Sequence, residues 1–475
     1  MLVYNTLSRQ KEPFVPGDPP HVTIYVCGVT VYDYCHLGHA RTYVVWDVVR
    51  RYLTSLGYQV RYVQNFTDVD DKILKRAQEN GETMQTVAER FIDAYFADMD
   101  QLNILRADHY PQVTRSLSAI TALIEQLHLK NFAYAVHSRV NVDSQDVYYA
   151  VRQFPHYGQL SGRQLTDMQA GASGRVGEDE ANKRDPFDFA LWKSASLTEP
   201  GFDSPWGHGR PGWHIECSAM VRQVLGETID IHAGGADLIF PHHENELAQS
   251  EAVTAKPLAR YWLHNGFLNI NGEKMSKSLG NFTTLRAALQ TCDPMALRLF
   301  FLQTHYRSPI DFTEAAITAA GKGWETLVKA AHSFPVSGSD LEHTSLNAFQ
   351  AAMDDDFNTP MGLAVIFELA KDLNRAKNQQ THQQPLDLTA AELEQKSTTL
   401  HALLTTLGFV VPAAQPEPQT GSLSDAEIEA LVNQRLAAKK DRQFATADQL
   451  RHHLNSLGIT VVDKKDGTSH WFRTP

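Results

Sequence analysis

Cysteine is scarce. Cys27, Cys35, Cys217 and Cys292 are the only four in a chain of 475 residues. So few exclude a disulfide-stapled scaffold and predict a protein of the reducing cytoplasm. No apolar run approaches the roughly 20 residues that span a bilayer, so no membrane partner is expected. Met1 to Val15 lacks the apolar core of a signal or transit peptide. Positive charge is not in excess either. A formal net charge of −12 argues against bulk adhesion to nucleic acid, though it leaves room for a local basic surface. What remains is an ordinary globular composition, 43% hydrophobic and 21% charged, with length for roughly two to four domains. No internal repeat is visible.

The apolar run Val22–Cys27 predicts a buried strand that ends at Gly28. A helix should start near Gly38-His39 and stop at Gly57. Gln59–Gln64 predicts a second strand, and a further helix should begin near Asp70. Strand, helix and strand in this order predict an α/β fold with a parallel sheet, whose ligands gather at the carboxyl ends of the strands. His36 and His39 fall at that end. From about Pro111 to Lys193 the pattern changes and reads as an insertion. Within it Val140-Asn-Val and Val147–Val151 alternate like antiparallel strands, and Gly171 to Asp185 is rich in glycine and charge. The α/β pattern resumes at Trp213, with a strand at Thr228–His232 and a Gly234-Gly235 turn. Helices are expected from about Ser345, with Thr359 as N-cap, Pro360 in the first turn, and Leu363, Ile366, Phe367, Ala370 and Leu373 on one face. Asn378 to Pro385 reads as a loop, and Val411 to Ser424 as a linker to a small last domain.

Three constellations can carry chemistry. His36-Leu37-Gly38-His39 sits where a helix N-terminus gathers phosphate oxygens, and its imidazoles suit a phosphorus centre under attack. Taken alone, two surface histidines at a helix cap explain it equally well. Lys274-Met275-Ser276-Lys277-Ser278 offers two ammonium groups between Gly272 and Gly280, suited to a departing pyrophosphate. Taken alone, it is a solvated basic turn. In Pro241–Glu246, His242 and Glu246 lie at i,i+4, a spacing that serves a metal or an ordinary ion pair. With Cys27 and Cys217 they would complete a donor set for tetrahedral zinc, although free buried cysteines are usually packing residues. Spacing leaves His243, Cys35 and Glu216 open as ligands. Gly235 lets a ligand approach the backbone, and Asp237 suits a ribose hydroxyl or a substrate ammonium. Trp213 is a pocket wall or a core residue. Asp68, Asp70 and Asp71 read as a helix-start cluster.

Together these segments resemble the bacterial-type cysteinyl-tRNA synthetases of class I from end to end. The resemblance rests on Cys27–Asp33, His36–His39, Gly212–Met220, Phe240–Glu246 and Lys274–Ser278. Leu37 and Ala236 depart from it conservatively. It implies a Rossmann-type catalytic domain over 1–310 with a connective insertion at about 111–205. A stem-contact and helical tRNA-binding domain over 311–410, a linker over 411–424 and a mixed anticodon-binding domain over 425–475 should follow. It implies one zinc ion on Cys27, Cys217, His242 and Glu246, and so His242 rather than His243. It places ATP, with magnesium, on His36, His39, Gly235, Asp237 and Lys277. Catalysis falls to His36, His39, Lys274 and Lys277, and the amino-acid pocket to Gly28, Thr67, Trp213 and Asp237. The implied partners are L-cysteine, ATP and tRNA(Cys), and the implied state is a monomer. Two related activities fit parts of the pattern. One is a mycothiol-type cysteine:amino-sugar ligase, which lacks the segment after Ser424. The other is persulfide formation through lysines such as Lys72 and Lys75, which also read as an exposed helix face.

Overall fold

The computed structural model describes residues 1–164, 182–274, 283–336, 340–413, 424–441, 443–463 and 469–473. A hairpin of β1 (Leu2–Asn5) and β2 (Gln10–Pro13) opens the chain. β3 (His21–Val26), α1 (Leu37–Ser55) and β4 (Gln59–Gln64) form the expected βαβ unit. Helices α2 (Asp71–Asn80), α3 (Met84–Gln101) and α4 (Leu117–Leu129) follow. An antiparallel sheet comes next, built from β5 (Ala133–His137), β6 (Gln145–Tyr149), β7 (Phe189–Ser194) and β8 (Gly209–Pro211). The first sheet resumes through α5 (Trp213–Leu225), β9 (Ile229–Gly235), α6 (Glu244–Thr254) and β10 (Ala259–Asn265). Then come β11 (Leu268–Ile270), β12 (Glu273–Lys274), α7 (Leu285–Leu289), α8 (Pro294–Leu302) and β13 (Ile310–Phe312). Helices α9 (Glu314–Ala331), α10 (His343–Met353), α11 (Thr359–Thr381) and α12 (Ala390–Thr406) lead to α13 (Asp425–Lys440), α14 (Phe444–Ser456), β14 (Ile459–Asp463) and β15 (Ser469–Arg473).

The chain divides into two compact units, 1–373 with 390–410, and 374–389 with 411–475. In the first, the central sheet has the spatial order β10-β9-β3-β4, and every pair is parallel. The chain runs outward to β4 and returns to lay β9 on the other side of β3. The order therefore reverses between β3 and β9, the place where an open α/β sheet leaves a crevice at its carboxyl edge. β9 is buried along its whole length, as the middle of a sheet covered on both faces must be. Among the described residues no helix is long and apolar enough to cross a membrane.

Several sequence expectations change. Gly234 and Gly235 extend β9 rather than turning; they pair with His264 and Asn265 of β10. Glycine is needed there because a Cβ on Gly234 would lie 2.9 Å from the His243 ring. Val140–Val142 is an exposed turn, not a strand; Ser138 Oγ accepts the Val140 and Asn141 amides and closes it. Helices begin at Glu314, earlier than Ser345. Asn358, not Thr359, caps α11 by accepting the Met361 amide, and α11 runs on to Thr381 through residues expected to be a loop. Glutamine and lysine are good helix formers, and their long polar side chains suit an exposed helix. The antiparallel sheet ends at Pro211. Residues 165–181, which include most of the glycine-rich stretch, and 414–423, within the linker, lie outside the described residues.

In the second unit Ile428, Val432, Leu454, Ile459 and Val461 form a small core on which Trp471 packs. Neighbouring Phe472 is 52% exposed, because successive strand residues face opposite sides. His452 and His453 are also exposed.

Candidate active site and metal centre

Cys27 leaves the end of β3, Cys217 sits in α5, and His242 and Glu246 flank the turn into α6. The reversal of strand order brings these three segments together. Cys27 Sγ is 4.0 Å from Cys217 Sγ and 3.4 Å from Glu246 Oε1, and His242 Nε2 is 3.0 Å from the same oxygen. All four donor atoms lie within 4.8 Å of one another, and all four residues are buried. The sulfur–sulfur distance is close to the ~3.8 Å edge of a tetrahedron with metal–sulfur bonds of about 2.3 Å. Cys27, His232, His243 and Glu246 converge similarly. Cys35 and Glu216 belong to neither group; Glu216 instead accepts the Thr67 hydroxyl at 3.0 Å.

The cluster gathers anionic groups, and a metal ion bound there would take the place of the His242 proton. A hydrogen bond from Cys27 is the main influence pulling the Cys217 thiol down to about 6, against the opposing effect of burial. Burial alone would discharge His242, but the Glu246 carboxylate and Cys217 outweigh it and hold the imidazole up at about 9. Burial opposes ionisation of Glu246 as well, yet His232 and His242 keep its carboxyl well below the usual range. Burial pushes His243 well down and His264 down to about 3, so both are neutral. Two sulfurs, an imidazole nitrogen and a carboxylate oxygen, with at least two negative charges, form a donor set that fits zinc.

A buried shell holds the cluster. His214 Nδ1 is 2.9 Å from His242 Nδ1, and His232 Nε2 is 2.9 Å from Glu246 Oε2. His243 Nδ1 is 2.8 Å from His264 Nε2, whose ring continues to the Thr6 hydroxyl at 2.8 Å. Sequence reasoning gave none of His214, His232 and His264 a role. The available signal was a histidine inside each otherwise apolar stretch. Trp213 stacks on the His242 ring at 4.2 Å and 16°, so it lines the site. Gly28 donates its amide to Asn65 Oδ1 at 2.8 Å, and a Cβ there would fall 1.6 Å from the Asn65 carbonyl oxygen. Only glycine permits this approach of the β3 and β4 ends.

His36 and His39 cap α1 in a reciprocal box. His36 Nδ1 accepts the His39 amide at 3.2 Å, and His39 Nδ1 accepts the His36 amide at 3.4 Å. The two rings stack at 3.5 Å. In a neutral imidazole whose Nδ1 accepts, the proton sits on Nε2. Gly235 ends β9, and Asp237 follows it exposed. Lys274 belongs to β12, whose backbone pairs with Asn269. Lys277 lies outside the described residues.

Known proteins agree with this geometry. Residues 13–322 match the family profile of the tRNA synthetases class I (C) catalytic domain, 348–411 that of the DALR domain, and 423–471 that of the cysteinyl-tRNA ligase anticodon binding domain. The cysteine--tRNA ligase of Synechococcus sp. (strain JA-3-3Ab) is 62% identical over 100% of this chain and 99% of its own. That of Trichodesmium erythraeum is 56% identical over 99% of each. Methionyl-tRNA synthetase of Mycobacterium tuberculosis with methionyl-adenylate shares the fold at a TM-score of 0.55 and 17% identity, covering 82% of this chain and 89% of that one. The Agrobacterium radiobacter LeuRS–tRNA–LeuAMS complex does so at 0.57 and 12%, covering 83% and 84%. With a catalytic domain and an anticodon-binding module of one family, and full-length relatives above half identity, the chain belongs to the cysteine--tRNA ligases, class I aminoacyl-tRNA synthetases.

Proposed function

We propose that Cys27, Cys217, His242 and Glu246 hold one zinc ion, and that this centre selects cysteine for ligation to tRNA(Cys). The observation that carries the reading is the convergence of these four buried donors at the carboxyl edge between β3 and β9. Two thiols in this set support the choice over the set containing His232 and His243, which has one. Zinc bound there would supply a preference for a soft thiolate over the hydroxyl of serine, which removes the need for an editing site. X-ray absorption tests it: cysteine should add one sulfur neighbour to the bound metal, and an unchanged shell would move recognition elsewhere, for instance to Trp213.

The chain's own groups do the rest. Gly28, Thr67, Trp213 and Asp237 shape the cysteine pocket. Gly235 and Asp237 receive the nucleoside, and the Nε2 protons of His36 and His39 stabilise the α-phosphate of Mg-ATP as the cysteine carboxylate attacks in line. Lys274 and Lys277 neutralise the departing pyrophosphate. The terminal ribose hydroxyl of the tRNA then attacks the adenylate, and no covalent enzyme intermediate is required. Lys277→Ala should lower kcat for ATP–pyrophosphate exchange by on the order of a hundredfold, about 3 kcal/mol, with a smaller rise in KM for ATP. Normal exchange kinetics would reduce the loop to a basic surface turn.

We place the enzyme in the cytoplasm as a monomer, on the strength of its unpaired cysteines and its family. The segment from Gly421 to Pro475 carries eight basic and seven acidic side chains in a chain of net charge −12, so it is relatively basic. Exposed Phe472, His452 and His453 give it rings for unpaired anticodon bases, whereas Trp471 is committed to the core. Deleting the chain after Ser424 should leave exchange nearly intact and strongly impair charging. Equal loss of both reactions in a folded truncation, or loss of neither, would remove this segment as the anticodon reader.

A further inference from the structure

Behind the ATP-site histidines a short antiparallel bridge joins two distant segments. Leu285 N donates to Cys35 O at 2.8 Å, Leu37 N donates to Thr283 O at 3.3 Å, and His36 pairs with Thr284. The bridge fixes the backbone on both sides of His36. Thr284 also caps α7 by accepting the Ala287 amide, so the second strand of the bridge is the start of that helix. Leu285 and Ala288 bury one side of α7, and Arg286 ties the helix to α3. Its Nε donates to Asp98 Oδ1 at 2.7 Å, and its Nη2 donates to the Ala94 carbonyl at 3.4 Å, both on α3. Its guanidinium lies 4.4 Å from the centroid of the Tyr34 ring, which packs edge-on against Phe91, also of α3, at 5.2 Å. Asp98 is buried to 1% side-chain exposure, and Arg286 is its only cationic partner among the described residues. Arg286 itself is 40% exposed, so its reach back to α3 is not forced by burial.

We infer that Arg286 is a positioning residue for adenylate formation, holding the Thr283–Leu285 segment on α3 so that the bridge keeps His36 and His39 aimed at the phosphate. The inference rests on the ATP-site reading of those histidines. A planar fork that bonds a carboxylate and a carbonyl while stacking on a ring fixes orientation as well as distance, which a lysine ammonium does not. Small displacements at such a site cost rate more than affinity. Nothing about the anchor touches the metal donors or the transfer of the aminoacyl group.

The test compares Arg286→Gln, Arg286→Lys and Asp98→Asn/Arg286→Gln in the full-length enzyme. The double variant removes the carboxylate that the single variant would leave buried and unpaired, so it separates folding from positioning. Three quantities are read: kcat and KM for ATP in pyrophosphate exchange, the single-turnover rate of transfer from a preformed enzyme–adenylate complex to tRNA, and Tm. Arg286→Gln and the double variant should lose on the order of tenfold to a hundredfold in exchange kcat. KM for ATP, zinc content and transfer should stay near wild type, and Arg286→Lys should recover part of the loss. In the background of His36→Asn, which keeps a capping side chain, Arg286→Gln should cost much less than it does alone. Normal exchange, exchange and transfer falling together with Tm, or full additivity with His36→Asn would each overturn the inference. Normal exchange in His36→Asn alone would instead overturn the ATP-site reading, and the ratio of exchange to transfer in the Arg286 variants would still decide whether Arg286 positions the bridge.

Discussion

Cys217→Ser should reduce bound zinc from one per chain toward none and lower cysteine-dependent ATP–pyrophosphate exchange by more than a hundredfold. The residue is 2% exposed, and its sulfur faces Cys27 Sγ and Asn65 Oδ1. Serine is smaller and fits the space, so the fold should survive. The chemistry does not. The Cys217 thiol is pulled down to about 6 and is ready to act as a thiolate, whereas a hydroxyl there stays protonated and is a hard, poor donor. Changes to groups one step outside a metal typically cost about 10–100-fold in affinity, so loss of a direct donor should exceed that range. Cys27→Ser should behave the same way. Cys292→Ser is the control: its thiol donates to the Ala288 carbonyl at 3.1 Å, far from the cluster in role, and both metal and activity should persist. Elemental analysis alongside exchange kinetics decides. Full activity in metal-free protein would end the zinc reading.

Part of the candidate site was legible from local rules, and the choice of its four donors came from the family resemblance rather than from spacing. Cys27 follows an apolar strand, Cys217 lies in α5, and the i,i+4 spacing of His242 and Glu246 is visible in the chain. The His36–His39 cap could be placed because a strand and a helix flank it. What sequence could not give is which groups meet across long separations. His214 and His232 support the donors from α5 and β9, and their role exists only once α5, α6 and β9 are packed. Gly28 shows the same limit: its need for glycine comes from Asn65, just past the end of the neighbouring strand β4. Gly234-Gly235 misled because paired glycines usually mark turns, whereas here the missing side chains make room for His243 and Asp237. Val140 and Val142 misled because alternation in a short segment also occurs in an exposed turn. Buried charges are the least legible of all. Nothing in the sequence separates Asp98, Arg41 or Arg298 from surface residues, because burial is decided by elements far away.

Arg298→Met should destabilise the first unit by about 3–5 kcal/mol, the usual cost of breaking a buried ion pair from one side. Arg298 is fully buried in α8. Its guanidinium binds the Asp47 carboxylate of α1 and donates to the Leu407 carbonyl at 2.7 Å and the Leu102 carbonyl at 2.8 Å. Gly408 leaves the space for it: a Cβ there would lie 2.1 Å from Arg298 Nη2. One side chain therefore ties α1, the end of α3, α8 and the end of α12. Methionine fills much of the volume but supplies no donor, so two buried carbonyls lose a partner. Asp47 is not left bare, since Arg51 Nε at 2.8 Å and the Leu105 amide at 3.0 Å remain. That sets the expected loss nearer the lower end of the range. Removing the charge as well, in Asp47→Asn/Arg298→Met, should recover only a small part of it, because Arg51 still balances the Asp47 carboxylate in the single variant and the two carbonyls lack a donor in both. The effect should reach function through α1, the helix that begins at His36–His39. Exchange activity should be near normal in the cold and should fail at a lower temperature, in step with the melting of the unit. A melt and a temperature series of exchange rates check both statements, and an unchanged melting temperature in Arg298→Met would show that this buried pair contributes nothing to holding the four helices together.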